Sequence, residues 1–273
     1  MRAFVFVTYN THLFGGTFPA AKQSYADERR RDRIIAMIRQ QRPDIMCLCE
    51  VWSDHWKDVI YDELKDIYPF CELHHTSLFE MGPGLCVFSQ HSIKETCFSE
   101  YKDKADWDAS SQKGVLGLLF EPTEGPIFRL FFTHMQSGEQ YAEIRRKQFD
   151  QIIAMGMQWH PETPAILAGD LNVIANSDEY RWMMDTFCSF QDVGPIPTPS
   201  APAYTSDYEH NCLTKKFGSP PSAKIDYILA HKDRWKIEYV QIINDWRWSG
   251  DKEHPCTDCS DHYPIVATLK PAS

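Results

Sequence analysis

The chain has 273 residues, with 38 acidic against 28 basic side chains and a formal net charge of −10. Charged residues make up 24% and hydrophobic ones 43%, a globular composition that excludes wholesale disorder, and no apolar run approaches the roughly 18 residues needed to span a bilayer. The acidic balance makes the molecule a poor general magnet for nucleic acid, although a bound divalent cation reverses the local field of a site.

In chain order, apolar, β-branched or aromatic runs predict strands at Ala3–Tyr9, Ile45–Cys49, Leu85–Ser89, Val115–Phe120, Ile127–Thr133, Ala165–Ala168, Ile225–Ala230, Ile237–Ile243 and Ile265–Leu269. Amphipathic helices fall between several of them. Trp56, Val59, Ile60, Leu64 and Ile67 follow helical spacing after Ser53, a capping residue type. A second helix is expected from about Tyr141 to Trp159, with Ile144, Ile152 and Met155 on its inner side. A third follows Ser177, with Tyr180, Met183, Met184 and Phe187 inward. The proline-rich stretch Gly194–Pro202 reads as a loop too embedded to link domains. No internal repeat is present, and the reading is one α/β domain over residues 1–273.

Nine cysteines, several inside apolar runs (Cys47, Cys49, Cys86, Cys97), are expected as buried free thiols of a reducing compartment. Cys256-Thr-Asp-Cys259 is the only CxxC, and no second pair completes a zinc site. Arg2 to Tyr9 already reads as strand rather than as a secretory leader, so the expected location is cytoplasmic.

The residues just past the strands carry the chemistry. Ala3–Tyr9 delivers Asn10, Ile45–Cys49 delivers Glu50, Ile127–Thr133 delivers His134, and Ala165–Gly169 delivers Asp170 with Asn172 two residues on. Asp261-His262 precedes the last strand. Ligand sites of open α/β sheets lie beyond the carboxyl ends of strands, so these side chains should gather in one cleft.

Thr133-His134, Gly169-Asp170-Leu171-Asn172, Ile225-Asp226-Tyr227-Ile228 and Ser260-Asp261-His262, with the earlier Asn10 and Glu50, resemble the endonuclease/exonuclease/phosphatase superfamily of metal-dependent phosphodiesterases. The resemblance runs from Thr8 to Leu269. Glu50-Val51-Trp52-Ser53, Gly84-Leu85-Cys86-Val87-Phe88-Ser89, Lys113-Gly114-Val115, Thr133-His134-Met135-Gln136 and Ser260-Asp261-His262-Tyr263-Pro264 are similar to its neutral sphingomyelinase branch, as is Asn176-Ser-Asp-Glu-Tyr180. That resemblance implies a four-layered α/β sandwich, two mainly antiparallel sheets flanked by helices.

Phosphodiester hydrolysis needs charge neutralisation on the phosphate, an activated water and help for the departing oxygen. A hard cation on oxygen ligands meets the first need. Magnesium, with manganese or cobalt as substitutes, would be held by Glu50 with Asn10 beside it. The resemblance adds Asp261 to that neighbourhood. His262 is the expected general base, because imidazole titrates near neutrality; Asp226 is carried over as its orienting partner. His134 is expected to contact the phosphate or assist the leaving group, with Asp170 and Asn172 positioning water and phosphate or holding a second cation. Either Asp170 or His262 accepts the proton. Lys113 matches a phosphate-contacting lysine of that branch, with Asp108 or Asp106 as its acidic partner. Trp246 and Trp248 occupy the place of an aromatic-tipped hairpin in bacterial relatives, which implies contact with a membrane interface; packing on the core is the competing expectation. The other histidines and Arg29-Arg30-Arg31 are expected on the solvated surface.

The implied reaction is hydrolysis of sphingomyelin or a related choline phospholipid to ceramide and phosphocholine. An endonuclease or an inositol-phosphate phosphatase would use the same machinery. The expected partner is a phospholipid or membrane interface, with no nucleic acid and no transmembrane segment, and the expected state is a monomer.

Overall fold

The computed structural model describes residues 2–15, 21–75, 81–198, 200–201 and 203–272. The strands are β1 (Phe4–Leu13), β2 (Ile45–Val51), β3 (Phe70–Leu73), β4 (Cys86–Ser89), β5 (Ser92–Glu100), β6 (Gly114–Glu121), β7 (Phe128–His134), β8 (Ala165–Asp170), β9 (Phe190–Asp192), β10 (Asp226–His231), β11 (Trp235–Ile242) and β12 (Ile265–Pro271). The helices are α1 (Asp27–Gln41), α2 (Asp54–Leu64), α3 (Ala142–Gln158), α4 (Asp178–Thr186) and α5 (Cys212–Phe217). One six-stranded sheet has the order β11-β12-β1-β2-β4-β3 and the other β5-β6-β7-β8-β10-β9. Each sheet is antiparallel except for one parallel pair, β1 with β2 and β7 with β8. Each pair spans a helical crossover, α1 in the first sheet and α3 in the second.

Side-chain alternation stacks these elements into four layers. Phe4 and Phe6 of β1, Ile45, Cys47 and Cys49 of β2, and Phe128, Leu130 and Phe132 of β7 face one another between the sheets. The intervening Val7, Tyr9, Met46 and Leu48 pack outward against Ile34, Ile38 and Ile60 of α1 and α2. On the second sheet Leu167, Tyr227 and Leu229 pack outward against Phe149 and Ile152 of α3 and Met183 of α4. A one-residue slip would turn every one of these side chains to the wrong face, so register is tightly specified. The helices after Ser53 and Ser177 start where the sequence placed them. The Ser177 hydroxyl accepts from the Tyr180 amide at 3.0 Å, whereas Ser53 makes no capping bond.

Three strands escaped the sequence reading: β3, β5 and β9. All are sheet edges. β5, Ser-Ile-Lys-Glu-Thr-Cys-Phe-Ser-Glu, is half exposed along its length, and β9 is three residues long. Short or half-exposed edges such as these need no apolar run and leave little sequence signal, unlike the fourth edge, β11, which the run Ile237–Ile243 marks. Helix α5 was likewise not expected. Pro199 and Pro202 of the proline-rich stretch lie outside the described residues.

Two expectations are corrected here. Trp246 and Trp248 are only 3% and 6% exposed; the Trp246 ring packs edge-on to Tyr9 at 5.3 Å, and both belong to the core beneath α1 and α2. Indoles committed to that core cannot reach a headgroup layer, so core packing holds and membrane contact by this pair does not. The cysteines are not all free: Cys212 and Cys256 form a disulfide across 44 residues of sequence, leaving seven free thiols. Cys256 is thereby drawn out of the CxxC, whose other member, Cys259, is buried.

The approach of β7 to β8 depends on Gly169. Its φ is +133°, and a Cβ there would lie 1.9 Å from the Thr133 carbonyl oxygen. Gly169→Ala is therefore expected to lower stability by about 2 kcal/mol or more, read as a reduced urea midpoint. An unchanged midpoint would show that β8 can move off β7 at no cost.

Candidate functional site

Inward parity continues past the core and changes character at one end of the sandwich. Beyond Phe4 and Phe6 the inward position on β1 is Asn10; beyond Phe132 it is His134; beyond Ala168 it is Asp170. β10 runs antiparallel to β8 with Asp226 directly opposite Asp170, so its first residue meets the last residue of its neighbour. Lys113 and Asp261-His262 reach the same end for the same reason, because β6 and β12 run antiparallel to β7 and β1. The carboxyl ends of both parallel pairs thus meet the starts of their antiparallel neighbours.

Glu50 would point outward by simple alternation. It has φ +59°, a left-handed conformation that re-phases β2, so that Val51 rather than Glu50 enters the outer core. His12 (φ +50°) and Asn172 (φ +54°) are held similarly. Each such residue costs on the order of 1–3 kcal/mol, sustained by surrounding structure. Gly84 of the glycine-led motif lies against the Glu50 backbone, and its carbonyl accepts from the Val51 amide at 3.0 Å.

Hydrogen bonds join the two halves. The Asn10 amide donates to Glu50 Oε1 at 2.8 Å and to Asp170 Oδ2 at 3.0 Å. Trp52 Nε1 donates to Glu50 Oε2 at 3.4 Å. Asp261 faces His12 Nδ1 at 3.3 Å, and Glu50 faces the same nitrogen at 3.8 Å. His262 Nδ1 lies 2.7 Å from Asp226 Oδ2, leaving Nε2 turned toward Asp170 at 3.9 Å. Lys113 Nζ bonds Asp108 at 2.8 Å and donates to His134 Nε2 and the Met135 carbonyl, each at 3.0 Å. Asp108, rather than Asp106, is thus the acidic partner of Lys113. The Asn172 amide donates to the Met135 carbonyl, and its backbone N–H to Asp170 Oδ1.

The electrostatics follow from this crowding. Burial first, then repulsion from Asp226, raises the Asp170 carboxyl to about 7. His262 is displaced well above the usual imidazole range: burial opposes the charged form, but Asp226, Asp261 and Asp170 outweigh it. His134 moves well down through burial and the neighbouring Lys113 ammonium, so it is neutral. Accepting from Lys113 at Nε2 places the His134 proton on Nδ1, which has no hydrogen-bond partner.

The donors suit a hard divalent cation. Glu50, His134 and Asp170 each present a ligand atom within 4.8 Å of the others. Glu50 and Asp170 supply carboxylate oxygens there, with the Asn10 amide between them and Asp261 beyond His12. The oxygen-rich set fits magnesium-like ions better than soft ones.

The cleft above these groups encloses about 480 Å³. Its floor is Glu50, His134, Asp170, Asn172, Lys113 and His262; one wall is apolar, built from Phe14, Trp52, Met81 and Trp107. Asn10 and Asp226 are buried behind the floor. Trp107, 65% exposed at the mouth, was not singled out from the sequence because it stands in a polar loop between acidic residues.

Three surface assignments are corrected. His91 is buried with its Nε2 facing Asp44 at 3.5 Å. His12 is buried against Asp261, and the signal for it was available: it lies two residues after Asn10, as Asn172 does after Asp170. Arg30, 0% exposed, donates to the carbonyls of Thr11, His12 and Cys259 and to Asp27 Oδ1 at 2.6 Å. It fastens the irregular end of β1 to the segment before Asp261-His262. The arginine run lies inside α1, so one of its members necessarily faces inward.

Burial pushes the Asp27 carboxyl up, but Arg30 and the amides of Tyr25 and Gly15 outweigh this and hold it below its usual range. A depressed carboxyl contributes stability above its unfolded pKa of about 3.9 and loses it as pH falls through the folded value. Asp27→Asn is therefore expected to cost about 3 kcal/mol at pH 7, with the difference from wild type shrinking below about pH 4. Urea titrations at several pH values measure this; a difference constant down to pH 2 would contradict it.

A family model described as the Endonuclease/Exonuclease/phosphatase family matches residues 7–262. The chain is 25% identical over 277 residues to human sphingomyelin phosphodiesterase 2, covering 90% of this chain and 61% of that protein. It is 24% identical to sphingomyelinase C of Leptospira interrogans, covering 96% and 51%. The chain thus spans between half and two thirds of the length of these relatives. Among solved structures, a beta toxin from Staphylococcus aureus with bound magnesium ions superimposes with a TM-score of 0.82 at 20% identity, covering 98% of this chain and all of that one. Sphingomyelinase C from Streptomyces griseocarneus gives 0.79 at 22% identity with full coverage of both. These likenesses show the fold: a four-layered α/β sandwich.

Proposed function

The chain belongs to the endonuclease/exonuclease/phosphatase family, and from that premise we propose that it is a magnesium-dependent phosphodiesterase that hydrolyses sphingomyelin, or a related choline phospholipid, to ceramide and phosphocholine. The observation that carries this reading is the His262–Asp226 pair facing Asp170, Glu50 and Asn10 across one cleft, with Lys113 and His134 opposite. The substrate class draws its support from the named relatives and from the apolar wall beside the polar floor.

Glu50, with Asn10 and Asp261 beside it, would hold the cation, and Asp170 lies within reach of the same space. When bound, magnesium supplies charge neutralisation on the phosphate and offsets the negative field of the surrounding carboxylates. Asp226 fixes the His262 ring through Nδ1, so Nε2 accepts the proton of the attacking water, and the imidazolium that forms is stabilised by the same carboxylate. His262 is thus assigned the base, with Asp170 orienting water. Lys113 presents a buried ammonium charge on the His134 side of the phosphate, with the neutral His134 holding it through Nε2, and the Asn172 side-chain amide donates to the phosphate oxygens as negative charge develops.

The proposed substrate is met at a lipid interface, and the proposed working unit is a monomer, since no group named above has to be supplied by a second chain. No helix among the described residues is long and apolar enough to cross a membrane. The test is a substrate panel at equal protein and magnesium: sphingomyelin in mixed micelles, plasmid DNA and inositol polyphosphates. Phosphocholine release exceeding the other two by at least tenfold is expected; preferential nicking of DNA or release of inorganic phosphate would overturn the substrate class.

A further inference from the structure

We propose that the Cys212–Cys256 disulfide is a redox-modification site that sets the order of the loop carrying Asp261 and His262; this rests on reading those two residues as working parts of the site. The bond joins Cys256, on the connection from β11 to β12 that carries those two residues, to the first residue of α5. Helix α5 begins at Cys212 and has six residues, too few to persist on its own helical hydrogen bonds. Its first residues nevertheless hold the loop in place. The Asn211 side chain caps α5 by accepting from the Leu213 and Thr214 amides, and its Nδ2 donates to the Ser260 carbonyl at 2.8 Å. The Cys212 amide donates to Asp258 Oδ2 at 2.8 Å, and Thr214 Oγ1 donates to the Asp261 carbonyl.

The chain of contacts continues to the reacting groups. Ser260 Oγ donates to the Asn10 carbonyl at 2.7 Å and accepts from the His262 amide at 3.2 Å. Loosening α5 therefore removes partners from Ser260 and Asp261, and Ser260 ties His262 to β1 beside the Arg30 bond to the Cys259 carbonyl. Both cysteines are half-buried, Cys212 at the start of α5 and Cys256 in an irregular segment, so neither is sealed from a small reductant. Cys259, three residues on, is not a competing partner: it is buried in the core cluster with Tyr9 and Trp246.

The chemistry is thiol–disulfide exchange with a dithiol reductant. One thiolate of the reductant attacks a Sγ, breaking the S–S bond and forming a mixed disulfide; its second thiolate displaces the remaining protein sulfur. Two electrons and two protons pass to Cys212 and Cys256, which become thiols, and the reductant leaves as its own disulfide. With the bond open, α5 and residues 256–262 form a locally unfolding unit.

The experiment takes the full chain through a redox cycle with dithiothreitol and oxidised glutathione, following amide hydrogen exchange, Mn2+ affinity and phosphocholine release. The expected oxidised protein titrates seven thiols under denaturing conditions and the reduced protein nine. On reduction, exchange at residues 256–262 should rise at least about tenfold and Mn2+ affinity and kcat/KM should fall about tenfold, with recovery on reoxidation. The double variant Cys212→Ser with Cys256→Ser should behave as the reduced protein in either buffer; if it fails to fold, the reversible cycle on wild type decides alone. Equal exchange and equal Mn2+ affinity in both states would overturn the proposal. So would nine free thiols in protein isolated without reductant, or exchange rising equally throughout β1 and β8. A redox-dependent exchange change in protein that never releases phosphocholine would uphold the switch and reject the substrate.

Discussion

His262→Ala is expected to lower kcat about a thousandfold at saturating magnesium, with the far-ultraviolet spectrum unchanged. The magnitude is that of a positioned general base. The geometry requires the loss to fall on turnover rather than on substrate affinity, because Nδ1 is committed to Asp226 at 2.7 Å and only Nε2 faces the cleft. Asp226→Asn should give a smaller loss together with a diagnostic pH shift. Against the cost of burial, Asp226 is the foremost group raising the proton affinity of His262. A base works when deprotonated, so removing Asp226 should move the acid limb of the pH–rate profile to lower pH. An acid limb moving upward, or not at all, would mean that Asp226 does not tune His262. Retention of more than a tenth of wild-type kcat in His262→Ala would transfer the base role to Asp170.

The second large effect is expected at Glu50. Glu50→Gln keeps the size of the side chain and the left-handed backbone of Glu50; it removes one negative charge from the cation site and retains only one of the two bonds accepted from Asn10 and Trp52. Divalent-ion affinity depends on the count of charged oxygen ligands, so Mn2+ affinity should fall about a hundredfold while thermal stability without metal stays level or rises. The rise is expected because Glu50 belongs to a cluster of mutually repelling carboxylates with the half-buried Asp261 and the buried Asp170 and Asp226. Isothermal calorimetry with Mn2+ measures the first effect and differential scanning fluorimetry the second. Unaltered Mn2+ binding in Glu50→Gln would remove Glu50 from the cation site.

Much of this site was legible in the sequence because the polar residues interrupt strands at inward positions. Phe4, Phe6, Thr8 and Asn10 form one alternating row, and so do Phe128, Leu130, Phe132 and His134; the last member of each row is the functional one. Glu50 was found from its place after Cys49, although the reason it faces the site is its positive φ, which composition does not reveal. His12 and Arg30 were misplaced because a lone histidine and an arginine run are ordinarily surface features. They are buried because the end of β1 is irregular and its carbonyls need a donor, which Arg30 supplies. The edge strands β3, β5 and β9 left no periodic signal, since little of them is covered. Trp246 and Trp248 show the limit of reading role from residue type: an alternating aromatic pair suits an interface and a core equally, and Tyr9 with the surrounding apolar cluster takes it into the core. The partner of Cys256 could not be chosen from spacing, because a 44-residue separation is fixed by tertiary packing alone.

The central claim is that this cleft hydrolyses a choline phosphodiester with a divalent cation and His262. Its most direct test is phosphocholine release from sphingomyelin in mixed micelles by the full chain, with magnesium and then with excess EDTA. Release that requires magnesium, stops with EDTA and returns when magnesium is restored is the predicted result. Release that continues undiminished in EDTA, or its absence from folded protein shown to bind magnesium, would contradict it.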